Sequence, residues 1–514
     1  MPHVARRVQV RLAAPPDEVR EAVDRVVSDT PRVLTTLDVH VRADGDQSVV
    51  TLTSRLAMRI PYFGWFVRLL AWVAARRELA AVAGRLRVEV EGGPPPPPRR
   101  AWSVLPPVRF GAEQAAALAT VAAVGVVANF GGSLFTQDGD AVARSFGRSD
   151  QNLGFALALT RAGVLVALVA AALADRYGRR RLVLFGLAGI AVANAAAALA
   201  PTFEVFTASQ VLARAFVNTT LVVAGIVAIE EAPEGARAFA LSMFGLALGL
   251  GFGVSVVLLP IADLGGDGWR VSFAVSALTV VALPSLARNL PETARFREMA
   301  SRRARRGGRR WRELWAPPYG RRFLALGAVA FLVNVFSAPS SQLTNRYLTR
   351  THHFSNSGVA VFRSVTAGVP GVAGVLLAGR WAETWGRRPV SIIGLLVATV
   401  AQMVFFLTAG AVLWVTAVVS IVAAASAGLT LGALDAELFP TEARGTSNGF
   451  LLVCGVAGSA AGLLAATTLE RTVGGLGPAI AVCGVASLLA AVVFLPLLPE
   501  TAARSLDDVS PSEM

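Results

Sequence analysis

Two hydropathy regimes divide the chain. Over residues 1–92 apolar positions recur in short patterns: Arg7–Leu12 alternates apolar and polar as a half-buried strand does, Pro15–Val27 has helical spacing, and Val33–Arg42 and Ser48–Ser54 alternate again. Ala43-Asp-Gly-Asp46 supplies a turn between the last two. Pro61–Val90 then opens with a helical pattern carrying Phe63, Trp65, Phe66, Leu69, Leu70 and Trp72. The order strand, helix, hairpin, helix predicts a small α+β domain. A second reading of its last segment is an amphipathic helix on a membrane face, with Trp and Phe set opposite Arg68, Arg76 and Arg77. Gly92-Gly93 and Pro94–Pro98 follow, so residues 93–111 read as a stiff linker.

Beyond the linker the pattern changes to long apolar runs. They fall at 112–136, 151–174, 182–200, 203–229, 238–262 and 271–290, and again at 323–347, 357–379, 389–409, 411–436, 446–468 and 476–498. Each approaches the ~20 residues that cross a bilayer core. The expectation is an all-α polytopic membrane protein with twelve transmembrane helices. Residues 112–290 and 323–499 form two six-helix bundles, 291–322 the loop between them and 500–514 a tail.

The two sets are copies of one unit. Leu290-Pro-Glu-Thr-Ala recurs at Leu498, and Asp175-Arg-Tyr-Gly-Arg-Arg180 recurs as Glu383-Thr-Trp-Gly-Arg-Arg388, both at an offset of 208. Glu230-x-x-Pro233-x-x-x-Arg237 recurs as Glu437-x-x-Pro440-x-x-x-Arg444 at an offset of 207. Duplicated helical bundles are the architecture of secondary transporters.

Composition sharpens this. Hydrophobic residues make up 54% and charged residues 16%, a balance too apolar for a soluble chain of 514 residues. Lysine is absent, and the net charge of +14 is carried by arginine. Eleven arginines lie between Arg295 and Arg322. That cluster marks a cytoplasmic loop rather than a nucleic-acid surface, and with an even span count it places both termini in the cytoplasm of a plasma-membrane protein. Cys454 and Cys483 fall in apolar runs and offer no disulfide framework. No signal peptide is expected, and no metal or cofactor is implied.

Leu173-Ala-Asp-Arg-Tyr-Gly-Arg-Arg-Arg181 and Gly379-Arg-Trp-Ala-Glu-Thr-Trp-Gly-Arg-Arg388 resemble the loop signature of the major facilitator superfamily, with Ala171 where the pattern has Gly and Glu383 where it has Asp. The Glu/Arg pairs and the two Leu-Pro-Glu-Thr-Ala segments resemble its sugar-porter and metabolite–proton symporter branches. The paired-Gln and Asn/Tyr pattern of sugar porters in span seven is missing. The resemblance implies a gate of ion pairs among Asp175, Arg176, Gly178, Arg179, Glu230, Arg237, Glu292, Glu383, Gly386, Arg387, Glu437, Arg444 and Glu500. Residues 1–92 weakly resemble a START or polyketide-cyclase-like domain, through element order alone.

Substrate chemistry is expected at the midplane between the halves. In span four Thr207, Gln210, Arg214 and Asn218 recur at three or four residues and share a face. Arg214 sits near the middle of its span, and Arg161 is as deep in span two. A guanidinium at that depth needs a cavity or a partner. Span one adds Asn129, and span seven adds Asn334 and Gln342 around Pro339. Asp138 and Asp140 read as lying beyond span one, which leaves no carboxylate inside any span. Deep arginines without acids predict an organic anion, such as a carboxylate metabolite, as substrate, with protons as a candidate coupling ion. The alternatives are a proton-coupled drug or metabolite exporter and a membrane-anchored lipid-binding sensor acting through residues 1–92. The chain is expected to be a monomer in the bilayer and not an enzyme.

Overall fold

The structure, a computed structural model, describes residues 4–28, 35–44, 47–56, 60–92, 110–233, 236–292, 319–371, 385–438 and 444–500, with 373, 374, 377 and 381. Contacts divide the chain into two compact units. Residues 1–125, 224–248 and 284–297 form one, and residues 126–223, 249–283 and 298–514 form the other.

The amino-terminal elements follow the order that the alternation predicts: β1 (Val4–Leu12), α1 (Pro16–Ser28), β2 (Thr35–Asp44), β3 (Gln47–Leu56) and α2 (Gly64–Glu91). The sheet is antiparallel with β3 in the middle, and Val50 of β3 lies opposite Val10 of β1 and Val41 of β2. Val10, Leu12, Val50 and Leu52 share one face because strand side chains alternate. Val19, Val23 and Val26 of α1 and Leu79, Val82 and Leu86 of α2 close over that face. The second half of α2 therefore supplies the domain core. Its first half presents Trp65, Arg68, Trp72 and Arg76, all exposed. Their spacing of three, four and four puts arginines and tryptophans on one stripe, not on opposite faces.

The remaining helices are α3 (Ala112–Ser145), α4 (Asp150–Tyr177), α5 (Arg179–Ala198), α6 (Phe203–Glu231), α7 (Arg237–Leu258), α8 (Trp269–Ala277), α9 (Leu283–Asn289), α10 (Tyr319–Gln342), α11 (Thr344–Thr351), α12 (Asn356–Arg363), α13 (Arg387–Leu407), α14 (Gly410–Leu438), α15 (Arg444–Leu469) and α16 (Leu476–Leu489). Short tight turns join α8 to α9, so Trp269–Asn289 acts as one span. Ten of the twelve expected spans are long and apolar enough to cross a membrane among the described residues. The other two are the second, α4, and the eighth, which opens with α12; both run into residues or side chains outside the described set.

The end of the first span differs most from the hydropathy reading. The first span does not end at 136: α3 continues to Ser145 and buries Gln137, Asp138 and Asp140 within it. The polar run looked like a loop because its compensating groups lie some two hundred residues away in the sequence, at Asn345 and Arg346.

Helices in lipid gain little from burying apolar surface against each other, so close contact depends on small residues. Gly458 and Gly462 of α15 face the carbonyls of Phe331 and Val335 on α10 so tightly that no Cβ fits at either position. Gly462→Ala should lower stability by about 1–3 kcal/mol, the usual cost of overpacking. Gly432→Ala, where a Cβ meets nothing within 4 Å, should be neutral or better. Thermal unfolding of both purified variants checks the contrast, and equal melting temperatures would remove the packing argument.

Candidate functional site

The two deep arginines are neighbours. Arg161 lies 11 residues after Asp150 in α4 (161 − 150), and Arg214 lies 11 residues after Phe203 in α6 (214 − 203). At 1.5 Å per residue both sit ~16 Å from a helix end, near midspan. Gly163 lets the helices approach: a Cβ there would stand 2.7 Å from the Val211 carbonyl oxygen and 3.2 Å from Arg214 Cβ. The two guanidinium groups are close enough to repel each other. Among the described residues neither has a carboxylate within salt-bridge distance. The Gln342 amide, with its oxygen turned toward Arg161, accepts from Nε at 2.9 Å and from Nη2. Asn218 donates to the Arg214 carbonyl at 2.8 Å, and Asn129 is half-buried in α3.

Two sequence candidates are engaged in helix packing. Gln210 donates to Asn194 Oδ1 at 3.2 Å, and Asn194 in turn donates to Ser276 Oγ at 2.8 Å and to the Gly131 carbonyl at 3.3 Å. This fully buried set ties α3, α5, α6 and α8 together. Asn334 donates to Ala330 one turn back and accepts from Ser459 of α15 at 3.1 Å.

At the end of the bundle opposite the Gly178 and Gly386 turns, the two halves are sealed by three pairs of contacts. Asp140 of α3, 5% exposed, sits between arginines. It meets Arg346 Nη1 at 2.8 Å, Arg350 Nε at 3.2 Å and Arg144 Nε at 3.1 Å, and accepts from Thr349 Oγ1 at 3.0 Å. Beside it Asn345 donates to Gln137 Oε1 at 2.7 Å, and Arg363 Nε donates to Asn345 Oδ1 at 3.0 Å, so Arg363 is held inside the bundle. Next, Gly154 of α4 has Thr467 of α15 where a side chain would go. Last, Asp263 accepts from Asn356 Nδ2 at 2.7 Å and from the Ser357 N–H and hydroxyl at 3.2 Å, capping α12.

None of this acid chemistry was read from the sequence. A signal for it exists: Asp140 and Arg144, and Arg346 and Arg350, are each one helical turn apart. Flanking groups belong to the same end. Ser145 donates to Asp267 at 2.7 Å and, with Arg270, holds that carboxyl below the usual range. Burial, then the neighbouring His353, holds His352 below the usual imidazole range. A depressed folded-state pKa favours neutral His352, so its contribution is present above the unfolded pKa and lost as the pH falls through the folded one.

Asp138 is two residues from Asp140 and has no such partners. It is 1% exposed, and neither carboxyl oxygen has a hydrogen-bond partner among the described residues. Ser272 faces it without completing a hydrogen bond. Phe135, one turn before Asp138, and Trp269 and Phe273, on either side of Ser272 in the sequence, meet with Phe206 edge to face at centroid distances of 5.1 to 5.8 Å.

At the opposite end the repeated motif shows what its glycine and acid do locally. Gly178 has φ 94° and Gly386 has φ 96°, left-handed values at the start of α5 and of α13. A Cβ on Gly386 would also stand 2.9 Å from the Glu500 carboxylate. Glu500 accepts from the backbone N–H groups of Arg387 and Arg388 at 3.0 Å each, and Arg388 Nη1 donates to the Leu498 carbonyl at 3.0 Å. The acid of Leu-Pro-Glu-Thr thus neutralises the positive end of a helix within its own half. Arg179 is buried, and Glu230 and Glu292 are half-buried. Glu383 and the side chains of Asp175, Arg176, Arg237, Glu437 and Arg444 lie outside the described residues.

A family profile described as Major Facilitator Superfamily matches residues 116–372 and 337–510. Curated protein sequences give no match. Among solved structures, the inward-open xylose transporter XylE from E. coli aligns with TM-score 0.62 at 16% identity, covering 76% of this chain and 98% of that one. A point mutant of the nucleoside transporter NupG aligns with TM-score 0.62 at 12% identity, covering 74% and 100%. A bacterial homologue of the human lysosomal transporter Spinster aligns with TM-score 0.57 at 17% identity, covering 74% and 93%. At these identities the likeness is one of fold.

Asp140→Asn should open the sealed end. Taking one partner from a buried ion pair costs about 3–5 kcal/mol if the geometry is kept, so the closed population should fall. Spin labels at the exposed Ser145 and Thr351, on the ends of α3 and α11, should report a longer distance distribution in Asp140→Asn than in the parent. An unchanged distribution would mean that the carboxylate does not hold these helices together.

Proposed function

Because this chain belongs to the Major Facilitator Superfamily, whose members are transporters and not enzymes, we propose its substrate class: small organic anions bearing a carboxylate, carried by alternating access. One observation carries the proposal. Arg161 and Arg214 place two like charges side by side at midspan, with no acid opposite them among the described residues. Such a pair is costly in lipid unless a cavity or a counter-anion compensates it. A bound carboxylate supplies the compensation, and guanidinium groups recognise it bidentately. Asn129, Asn218 and Gln342 supply the neutral donors and acceptors around it. Gln210 and Asn334 are assigned to helix packing.

Asp138 supports proton coupling. A carboxyl enclosed without partners exchanges its proton when water reaches it, and its neighbour Asp140 belongs to the contact that must break for water to enter. The D-xylose–proton symporter among the structural neighbours couples to protons; here the inference rests on Asp138. The arginine-rich side, with both termini, is assigned to the cytoplasm of the plasma membrane, which makes the sealed end external. Proton-coupled export would use the same residues, and the gradient direction separates it from uptake.

Proteoliposomes offered pooled labelled carboxylates, sugars and amino acids should accumulate carboxylates under an inward proton gradient. Arg214→Ala should reduce that uptake about tenfold or more, the loss expected for a charged hydrogen bond. Asp138→Asn should abolish gradient-driven accumulation while leaving carboxylate exchange across the membrane measurable. Uptake restricted to neutral solutes and indifferent to Arg214→Ala would overturn the anion assignment.

A further inference from the structure

The junction between the amino-terminal domain and the sixth span carries an unassigned surface. Tyr62 precedes α2 by two residues and adopts φ 61°, a left-handed conformation unfavourable for an aromatic residue. Its phenol is held there: it lies 3.0 Å from Ser285 Oγ and accepts from Asn289 Nδ2 at 3.0 Å. Asn289 also donates to the Ser285 carbonyl at 3.2 Å. Both partners belong to the last turns of Trp269–Asn289, a helix long and apolar enough to cross a membrane. The first turn of α2 is therefore pinned at the membrane boundary.

From that point α2 displays the Trp/Arg stripe. Trp65 is 65% exposed and Trp72 53%, with Arg68 and Arg76 exposed between and beyond them. Indole rings partition to the region between headgroups and acyl chains, where the ring is apolar and the N–H stays wet. Arginine stems lie along the same boundary while the guanidinium reaches phosphate. From Ile60 to Arg77 the chain has three arginines and no acid, which suits a negative surface. Alternating tryptophan and arginine fits a lipid surface better than a protein groove, which would call for a continuous aliphatic stripe.

We propose that the first half of α2 lies in the plane of the membrane surface and binds anionic phospholipid headgroups through Arg68 and Arg76. The geometry makes this testable. Trp72 is eight residues along α2 from Gly64, or ~12 Å, so it reaches lipid only if the helix runs along the surface rather than away from it.

The test uses the full-length chain with Cys454→Ser and Cys483→Ser, reconstituted in vesicles of phosphatidylcholine with or without phosphatidylglycerol. Single cysteines replace Trp65, Trp72 or, as a control on α1, the exposed Arg20, and carry an environment-sensitive fluorophore. Lipids brominated near the headgroup should quench positions 65 and 72 several-fold more than position 20. Quenching at 72 should rise with phosphatidylglycerol, and Arg68→Ala with Arg76→Ala should erase that rise. Quenching at 65 alone would show α2 standing off the membrane, and none at either position would assign the stripe to water or a protein partner; each overturns the proposal. Quenching indifferent to phosphatidylglycerol would overturn the headgroup assignment. Retention volume on size exclusion verifies that each variant is folded.

Discussion

An ionised carboxylate inside a lipid-embedded bundle is stable only while cations surround it. Asp140 meets that condition with Arg144 from its own helix and Arg346 and Arg350 from the other half of the chain. The rest of the sealed end follows from it. α3 can continue as helix past its apolar stretch because its acids have somewhere to go. α11 is polar on one face because it must answer them. Gly154 against Thr467 and the Asp263 contacts with α12 add two further contacts between the halves.

The contrast between Asp140 and Asp138 shows how environment divides identical chemistry. Two residues apart on one helix, one carboxyl is saturated with donors and the other is enclosed with no hydrogen-bond partner among the described residues. The first is suited to holding a conformation and the second to changing its protonation state. The deep arginines add the complementary charge at midspan, without an acid of their own.

Much of this architecture was legible in the sequence because it rests on local patterns. Apolar runs, the motif offset and the alternation over the first strands require only periodicity, and the φ values of Gly178 and Gly386 confirm the turn that each repeat encodes. What was not legible depends on partners distant in sequence. Hydropathy ends span one before Gln137, since Arg346 and Arg350, which join the nearby Arg144 around Asp140, lie some two hundred residues away. Gln210 shares a helical face with Arg214, yet its amide is committed to Asn194, which carries no motif. The resemblance makes Glu500 a gate residue, and its contacts with the backbone N–H groups of Arg387 and Arg388 become visible only when the chain end is brought back to Arg387.

The spacing of the two cross-half arginines has a mechanical consequence. Arg346 and Arg350 are one helical turn apart, and a turn is ~5.4 Å long. Stacked on one face of α11, both guanidinium groups hold the same Asp140 carboxylate at once. Separating the halves therefore takes both cross-half cations from the carboxylate together and leaves it Arg144 of its own helix as the remaining one.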